Sequence, residues 1–366
     1  MRVLFITLDA LRGVGGIQRF NARLIRALDE LTAVGLVRDA VSASLWDPPQ
    51  TPGPGRVRHQ GFGRRKLAFA ASVIRTASRL RPDVILWGHV LLLPLLPMVK
   101  LASPRSTHAL VVHGVEVWGD PRYRMAPRWE PALVRRLDRV VSVSQTTAER
   151  MRRAYRLPAD RFALLPDAVD LPDDNGEPRR GNHNTLRLLT VSRLSAKDSY
   201  KGVDVVLQAL PRVAAERPVT YVVVGDGELR PRYEQLARHL GLGEVVRFVG
   251  RVDDRELERW YRWADAFALP STGEGFGIVY LEAWANGLPV VAAAEAGAAE
   301  IVEDGKTGLL VEPGSSEAVA GALLRLARDP ELRARLGAAG RATVQARYTH
   351  EHFRARLAGI LLSLGG

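Results

Sequence analysis

The stretch PSTGEGFGIVYLEAWAN, residues 270–286, decides the fold of the second half of the chain. It begins with turn-forming residues, places a glycine on each side of Phe276 and continues with the apolar pattern of a helix. Backbone N–H groups at 277–279 would open this helix, and unpaired N–H groups at a helix N-terminus bind anions. Glu274 and Glu282 are spaced by a little over two helical turns, which predicts that they lie on one side of the element. The pattern therefore predicts an anion site beside hydroxyl-binding carboxylates, although a plain loop entering a core helix shares these local features.

Length and composition bound the number of domains and the compartment. At 366 residues the chain is longer than one hydrophobic core usually serves, so two domains are expected. It has no cysteine, which excludes disulfides and thiolate metal sites. The apolar run 3–8 is short and ends at Asp9, so no signal peptide is expected, and the run 90–99 is broken by Pro94 and Pro97. A membrane span needs about 20 apolar residues, so we expect none, and a cytoplasmic protein.

The positive charge of the chain is concentrated in its first half. Residues 1–170 contain 27 Lys and Arg against 14 Asp and Glu, whereas residues 171–366 contain 25 against 26. A nucleic acid, an anionic membrane or lipid phosphate, and plain solvated surface would each fit such an excess. No nucleic-acid-binding motif accompanies the charge, so no nucleic-acid partner is expected. The helix predicted at 67–80 mixes basic and apolar residues, which fits a helix on a membrane surface and equally an outer helix of the domain.

The first half of the chain alternates between predicted strands and helices. Apolar strands are predicted at 2–7, 41–45, 83–87, 108–113, 140–143 and 161–166, with helices at 17–31, 67–80, 91–101 and 146–155. This alternation predicts a doubly wound parallel sheet. The turn after the first strand contains Gly15 and Gly16, which let a ligand approach the backbone. His113 ends a strand, at the edge where such sheets bind ligands.

The second half repeats the alternation after an irregular segment. Residues 171–185 are rich in proline, glycine, asparagine and mixed charge, which predicts a linker. Strands are predicted at 186–192, 221–225, 245–250, 266–269 and 290–293, helices at 254–264, 317–328, 331–348 and 351–364, and a loop at 295–300. Arg193 and Lys201 follow the first of these strands. Two cations there would hold a diphosphate without metal, although surface charges fit the spacing as well.

Several motifs resemble those of one enzyme family. Glu274-Gly275-Phe276-Gly277, followed by Leu281-Glu282-Ala283 and Gly287-Leu288-Pro289-Val290-Val291, resembles the E-x7-E motif of retaining glycosyltransferases of family 4. The resemblance implies the GT-B fold, an α/β architecture of two Rossmann-like doubly wound domains facing a central cleft. It implies an acceptor-binding domain at 1–170, the linker at 171–185, a nucleotide-sugar-binding domain at 186–348 and a helix at 349–366 that packs on the first domain.

The resemblance also implies roles for individual residues. His113 would hold a donor-sugar hydroxyl, Arg193 and Lys201 would bind the diphosphate and stabilise the departing nucleotide, and Glu274 and Glu282 would bind the sugar and the ribose. The catalytic residues so implied are His113, Arg193, Lys201 and Glu274. The other donor-binding residues so implied are Gly15, Gly16, Arg251, Val252, Gly275, Phe276, Gly277, Ile278, Val279 and Glu282.

The same resemblance implies a reaction and its partners. A hexose would pass from a nucleoside-diphosphate sugar, with GDP-mannose favoured over UDP-glucose, to a hydroxyl of a glycan or lipid-linked acceptor in cell-envelope or exopolysaccharide assembly. Because the acceptor enters on the face that the leaving group vacates, the leaving phosphate can take the acceptor proton. No cofactor and no metal are expected, since the acidic pair 173–174 lies in the linker and the pair 253–254 opens a helix, where capping explains it. The basic first half would allow peripheral contact with the inner face of the membrane.

Other functions fit the sequence less well. A glycosidase with two catalytic carboxylates would need a second acid matched to Glu274 and would leave the paired cations unexplained. A phosphorylase would need a lysine that carries pyridoxal phosphate, which no motif indicates, and an epimerase of the same architecture is a second enzyme alternative. From another class, a non-catalytic sugar-nucleotide or glycan-binding protein could share the fold. The presence of Arg193, Lys201, Glu274 and Glu282 argues against it.

Overall fold

The computed structural model describes residues 1–13, 15–172 and 184–365. These residues form two compact units. Unit 1 comprises Met1–Ala168 and His350–Gly366, and unit 2 comprises Val169–Thr349, so the division lies within two residues of the expected boundaries at 170 and 348. Residues 173–183, which include most of the expected linker and the acidic pair 173–174, lie outside the described residues.

Unit 1 is built on a parallel sheet of seven strands. In chain order they are β1 (Arg2–Thr7), β2 (Asp39–Ser44), β3 (Arg58–Gly61), β4 (Val84–Trp87), β5 (Thr107–Val112), β6 (Arg139–Ser142) and β7 (Phe162–Leu164). Their spatial order is β3-β2-β1-β4-β5-β6-β7, so the chain moves outward in one direction from β1 and in the other from β4. In such sheets ligands bind at the carboxyl ends of the strands that flank the change of direction.

The helices of unit 1 cover this sheet. The first five are α1 (Gly16–Ala33), α2 (Lys66–Leu80), α3 (Leu96–Ala102), α4 (Glu130–Val134) and α5 (Gln145–Tyr155). Helix α1 buries Phe20, Leu24, Leu28 and Leu31, which recur every three or four residues and form one apolar face. The same spacing recurs in α2, so burial of a helical stripe against the sheet explains both elements.

Unit 2 contains a second parallel sheet, of six strands in the order β10-β9-β8-β11-β12-β13. The strands are β8 (Leu186–Val191), β9 (Val219–Val224), β10 (Val246–Gly250), β11 (Ala266–Leu269), β12 (Val290–Ala293) and β13 (Gly308–Val311). The helices are α6 (Val203–Glu216), α7 (Arg230–His239), α8 (Asp254–Trp263), α9 (Ile278–Ala285), α10 (Ala296–Ile301), α11 (Ser316–Arg328) and α12 (Pro330–Arg347). The central strands are continuous apolar runs because helices cover both faces of a parallel sheet. The two sheets confirm the predicted class of two Rossmann-like α/β domains.

The last helix of the chain, α13 (His350–Gly365), belongs to unit 1. It packs on α1, where the rings of Phe353 and Phe20 meet edge to face with centroids 5.2 Å apart. His350 Nε2 of α13 lies 3.0 Å from the carboxylate of Glu30, which is in α1. Apolar and polar contacts thus both join the end of the chain to the first helix.

Two local predictions differ from the structure, and one strand is not predicted. The segment predicted as one helix at 91–101 is a 3-10 helix, Val90–Leu95, followed by α3, because Pro94 has no amide to donate and Pro97 lies in the first turn of α3. The sequence RHQG does not predict β3, since it lacks apolar residues. The loop predicted at 295–300 is largely the short helix α10. None of the described helices is long and apolar enough to cross a membrane.

Candidate functional site

Two loops of unit 2 meet where its sheet changes direction. β8 and β11 are neighbours, but the chain continues from β8 to β9 and from β11 to β12, on opposite sides. The loop after β8 carries Arg193 and Lys201, and the loop after β11 carries Glu274. The Thr272 N–H of the second loop donates to the Tyr200 carbonyl of the first, at 3.0 Å. The two loops therefore form one surface at the place where doubly wound sheets bind ligands.

An ion pair joins these two loops. The Lys201 ammonium contacts Glu274 Oε1, and the two side chains are 17% and 9% exposed. The Glu274 carbonyl also accepts a hydrogen bond of 2.8 Å from the Gly297 N–H of α10. Because both charged groups are largely withdrawn from water, removal of one would leave the other poorly solvated and without its partner. The pair places a cation and a carboxylate together at the carboxyl edge of the sheet.

Helix α9 begins at the position that the sequence pattern predicts. Gly277 precedes it with a φ of 97°, in the left-handed region that favours glycine, and Ile278 is its first residue. Glu274 therefore lies in the loop, and the prediction that helical periodicity aligns it with Glu282 is wrong. Among the described residues, no backbone carbonyl outside α9 accepts from the amides of 277–279. The start of α9 thus keeps donors for an anion.

The predicted donor-binding residues around α9 occupy different positions. Gly275 and Phe276 are buried in the loop before the helix, and the Phe276 ring meets Tyr348 edge to face at 5.6 Å. Glu282 Oε2 accepts a hydrogen bond of 2.8 Å from the Tyr261 hydroxyl of α8. The Tyr261 hydroxyl thus fixes the orientation of the Glu282 carboxylate.

Arg251 and Val252 lie at the same edge of the sheet but further away. They follow β10, which is two strands from β8. Arg251 is exposed and Val252 is half-buried. In the part of the chain that the structure describes, Arg251 has neither a hydrogen bond nor an ion pair. The structure therefore does not join these two residues to the Lys201–Glu274 pair.

Arg193 is tethered at one end of its guanidinium group. Its Nη2 lies 3.3 Å from Asp198 Oδ1, and the Arg193 side chain is 61% exposed whereas that of Asp198 is 6% exposed. A guanidinium group has five N–H donors, so one contact leaves most of them for a ligand. Arg193 thus combines a fixed position with open donors.

Gly297 of α10 is expected to tolerate no side chain. A Cβ added there would lie 2.7 Å from the carbonyl carbon and oxygen of Gly275 and 2.7 Å from the Cα of Phe276. These are backbone atoms, so Gly297→Ala must displace the loop that precedes α9. We expect a loss of about 1–3 kcal/mol in the free energy of unfolding, the usual cost of overpacking, and weaker nucleotide binding, both measurable by thermal melting with and without GDP or UDP.

Gly321→Ala is the matched control for this prediction. Gly321 lies inside α11, and a Cβ there would meet nothing within 4 Å. Alanine is the better helix former, so this variant is expected to gain about 0.5–1 kcal/mol. Equal melting temperatures and equal nucleotide binding in the two variants would contradict the close packing of α10 on the loop.

His113 lies at the carboxyl end of β5, in unit 1, and is neutral at physiological pH. Burial lowers the pKa of His113 to about 4, and a hydrogen bond to the Gly88 backbone opposes this only in part. Nε2 is buried and has no hydrogen-bond partner among the described residues. The bond to the Gly88 carbonyl then places the ring proton on Nδ1, which leaves Nε2 as an acceptor. A neutral ring with an open acceptor suits a hydroxyl group.

Aromatic packing links His113 to the helix that follows the glycine turn. Phe20 of α1 meets the His113 ring edge to face, with centroids 4.9 Å apart. Gly15 precedes α1 with a φ of 146°, and Gly16 is its first residue. One helix therefore begins at Gly15 and Gly16 and supports His113 with its second turn, so unit 1 brings its three predicted site residues onto adjoining elements.

A pair of acidic residues supports the glycine turn. Asp9 follows β1 and Asp47 follows β2, and burial raises the pKa of Asp9 to about 6, together with a hydrogen bond to Asp47 and the Asp47 charge. Asp47 also accepts from the Leu11 N–H at 3.1 Å. A Cβ at Gly13 would fall 1.8 Å from Asp9 Oδ2. The start of the turn is thus packed closely against this pair.

Four side chains of these sites escape the sequence analysis. They are Phe20, Asp198, Tyr200 and Tyr261, each of which contacts a predicted site residue or its loop. Only Tyr200 has a local signal, since it directly precedes Lys201. The others are identified by contacts between elements that are distant in the chain or by burial.

Two family models match the chain and together cover both units. The model described as Glycosyltransferase Family 4 matches residues 14–172, and the one described as Glycosyl transferases group 1 matches residues 176–343. The chain is also similar to a D-inositol 3-phosphate glycosyltransferase of Geodermatophilus obscurus, at 33% identity over 341 residues, 81% of this chain and 74% of that protein. A GDP-mannose-dependent monoacylated alpha-(1-6)-phosphatidylinositol monomannoside mannosyltransferase of Corynebacterium glutamicum is 36% identical over 244 residues, 62% of each chain. The match thus spans about three-fifths of the length of this second relative.

Solved structures share the fold at lower sequence identity. HepE of Anabaena, in complex with UDP and glucose, has a TM-score of 0.76 at 22% identity, over 99% of both chains. Sucrose-phosphate synthase of Thermosynechococcus elongatus has a TM-score of 0.79 at 22% identity, over 99% of this chain and 98% of that one. These similarities confirm the predicted GT-B architecture.

Proposed function

The chain belongs to glycosyltransferase family 4, and on that basis we propose that it is a retaining, metal-independent hexosyltransferase that uses a nucleoside-diphosphate sugar. The observation that carries this proposal is the Lys201–Glu274 ion pair at the point where β8 and β11 diverge. A cation there can bind a diphosphate, and a carboxylate beside it can bind a sugar hydroxyl. A protein that only binds glycans would not need the cation.

The proposed reaction exchanges one bond at the anomeric carbon for another on the same face. The bond from the sugar C1 to the phosphate oxygen breaks, the bond from C1 to the acceptor oxygen forms, and the acceptor proton passes to the leaving phosphate. Negative charge grows on the diphosphate as its bond breaks. Lys201, Arg193 and the open amides of α9 would stabilise that charge by fixed electrostatic interactions. Because these groups supply the positive charge, the proposal includes no metal and no cofactor.

The remaining site residues would bind the rest of the donor. Glu282, oriented by Tyr261, would accept hydrogen bonds from the ribose hydroxyls. His113 Nε2, buried and open, would accept one from a sugar hydroxyl. The backbone at 251–252 would lie beside the base, and that at 15–16 beside the donor phosphate.

We propose GDP-mannose as the donor, with UDP-glucose second. The Corynebacterium relative is named as GDP-mannose-dependent, whereas the HepE structure contains UDP and glucose. The name of the Corynebacterium relative includes a monoacylated phosphatidylinositol monomannoside, and that of the Geodermatophilus relative includes D-inositol 3-phosphate. For this chain we propose the coarser class, a hydroxyl of a glycan or lipid-linked acceptor in cell-envelope or exopolysaccharide assembly.

We also propose peripheral contact with the cytoplasmic side of an anionic membrane, and the support for membrane contact is a surface of unit 1. Leu67 of α2 is 88% exposed, and Met98 and Leu101 of the adjacent α3 are 52% and 77% exposed. Basic residues lie close to these side chains in the chain: Arg64 and Arg65 just before α2, Lys66 at its first position, Lys100 in α3 and Arg105 after it. Exposed apolar groups among cations suit a surface that inserts between anionic headgroups.

A donor panel tests the proposed function. The purified protein is incubated with GDP-mannose or UDP-glucose, with and without phosphatidylinositol vesicles as acceptor, and free GDP or UDP is measured. We expect acceptor-dependent release of GDP that EDTA does not reduce, and an α-linked product by NMR. GDP should raise the melting temperature more than UDP at equal concentration, because the nucleotide with the lower dissociation constant stabilises the folded state more. At 100 times its dissociation constant a ligand adds about 2.7 kcal/mol.

Three outcomes would count against the proposal. Tight nucleotide binding without turnover of any donor in a wider panel of acceptors would favour the non-catalytic binding protein. A product of inverted anomeric configuration would exclude same-face transfer. Loss of activity in EDTA that Mg²⁺ restores would exclude metal independence.

A further inference from the structure

The segment between Arg193 and Lys201 contains a buried carboxylate. Asp198 is 6% exposed and lies at a kink in the 3-10 helix Ala196–Lys201. Three donors converge on its two oxygens: the Ser195 hydroxyl at 2.7 Å, the Tyr200 hydroxyl at 3.2 Å and the Arg193 guanidinium at 3.3 Å. A buried carboxylate is costly unless it is paired, so a single side chain here fixes one cation and the path of the segment.

Tyr200 fastens the same segment to the loop of Glu274. Its carbonyl accepts from the Thr272 N–H, and its ring packs on Gly273, where a Cβ would lie 2.4 Å from the ring. The Lys201 ammonium lies 5.4 Å from the centroid of that ring. Burial raises the pKa of Tyr200 far above its usual value, so its hydroxyl keeps its proton at neutral pH and donates to Asp198.

The same contacts run in a continuous path from one cation to the other. Arg193 is held by Asp198, Asp198 by Tyr200, and Tyr200 packs against the loop whose Glu274 pairs with Lys201. Asp198 and Tyr200 can therefore affect the positions of Arg193 and Lys201 without contacting a substrate. A displacement of about 1 Å in a catalytic group can cost about 10²-fold in rate.

We propose that Asp198 and Tyr200 are positioning residues that hold Arg193 and Lys201 at the spacing required by a diphosphate. This inference rests on the proposed function and deepens it. Asp198 acts through Arg193 by its charge, and Tyr200 acts on both cations by closing the two loops on each other.

A double-mutant cycle between Arg193 and Asp198 tests the proposal. Asp198→Asn keeps an acceptor oxygen for the Tyr200 hydroxyl and offers its NH2 group to the Ser195 oxygen, but it removes the charge that faces Arg193. In the otherwise unchanged protein we expect it to lower kcat/KM about tenfold and to weaken GDP binding about threefold. In the Arg193→Gln background it should lower neither further, since a residue that acts through another loses its effect when that other is absent.

Matched variants separate positioning from folding. Tyr200→Phe keeps the ring on Gly273 and removes the hydroxyl, and we expect a fall of about tenfold in kcat/KM with a melting temperature lower by only about 2–4 °C, the effect of one lost hydrogen bond. Ser199→Ala, at an exposed position of the same segment, should change neither quantity. GDP titration by calorimetry gives the fraction of folded binding sites, so rates are referred to intact protein only.

The outcomes distinguish this inference from the proposed function. If the unchanged protein turns over no donor, the proposed function fails, and the same cycle measured on GDP affinity still decides the positioning role. Additive effects of Asp198→Asn and Arg193→Gln, in turnover or in GDP affinity, overturn the inference. Equal behaviour of Tyr200→Phe and Ser199→Ala overturns the part assigned to the Tyr200 hydroxyl, which acts through Asp198.

Discussion

Replacement of Lys201 with alanine is expected to lower kcat about 10²–10³-fold, with a change of less than about threefold in KM for the nucleotide sugar. Loss of one preorganised group that faces the charge of the transition state typically costs this much. Arg193 and the amides of α9 would still bind the diphosphate in the ground state, so KM would change little. Steady-state measurement of nucleotide release over a range of donor concentrations checks both quantities.

A second substitution separates the loss of stability in Lys201→Ala from the loss of catalysis. Lys201→Ala leaves the buried Glu274 carboxylate unpaired, so the melting temperature should fall. Adding Glu274→Gln removes that charge, and the melting temperature should recover while transfer stays low. Lys197→Ala, at an exposed position of the same loop, should resemble the unchanged protein. Recovery of transfer in the double variant, or full turnover in Lys201→Ala, would contradict the role of Lys201 at the diphosphate.

Replacement of His113 with alanine is expected to lower kcat/KM about 10²-fold. The variant loses the acceptor at Nε2, which by itself is worth about tenfold, and the ring against which Phe20 packs, so the start of α1 shifts. Since the pKa of His113 is about 4, its charge does not change between pH 6 and 8. The rate ratio of the unchanged protein to the variant should therefore be constant over that range, as kcat/KM measured at each pH would show.

Two variants limit the interpretation of this result. His113→Gln keeps a hydrogen-bonding side chain of similar reach and should recover part of the lost rate. His239→Ala, at an exposed position at the end of α7, should leave the rate unchanged. A rate ratio that rises or falls tenfold across pH 6–8 would show that His113 gains or loses a proton during catalysis, which contradicts a neutral hydrogen-bond acceptor.

Most of the architecture is readable from the chain because it depends on local patterns. Continuous apolar runs such as β9 predict strands buried on both faces, and the spacing of Phe20, Leu24 and Leu28 predicts a helix on the sheet. The errors occur where that signal is weak or interrupted. β3 has almost no apolar residues, and two prolines divide the segment at 91–101 into two short helices.

The candidate site is less readable, because its geometry depends on contacts between distant residues. The motif around Glu274 indicates a ligand-binding loop, but helical periodicity places Glu274 wrongly, since α9 begins only at Ile278. Nothing near Glu282 in the sequence indicates that Tyr261 orients it. An aspartate in a polar segment, such as Asp198, is usually exposed at the surface. Only the structure shows that this carboxylate is buried.

The sequence by itself determined the two parallel sheets, the family and the stretch 270–286 as the centre of the second unit. The sheets follow from the period of apolar residues, whereas the family and the importance of this stretch follow from motifs that resemble those of family 4 enzymes. Only the tertiary structure decided which side chains face one another. Lys201 and Glu274 are 73 positions apart in the chain, and they meet because β8 and β11 are neighbours at the point where the sheet changes direction. Strand order in a sheet is set by packing over the whole unit, so no local pattern contains it.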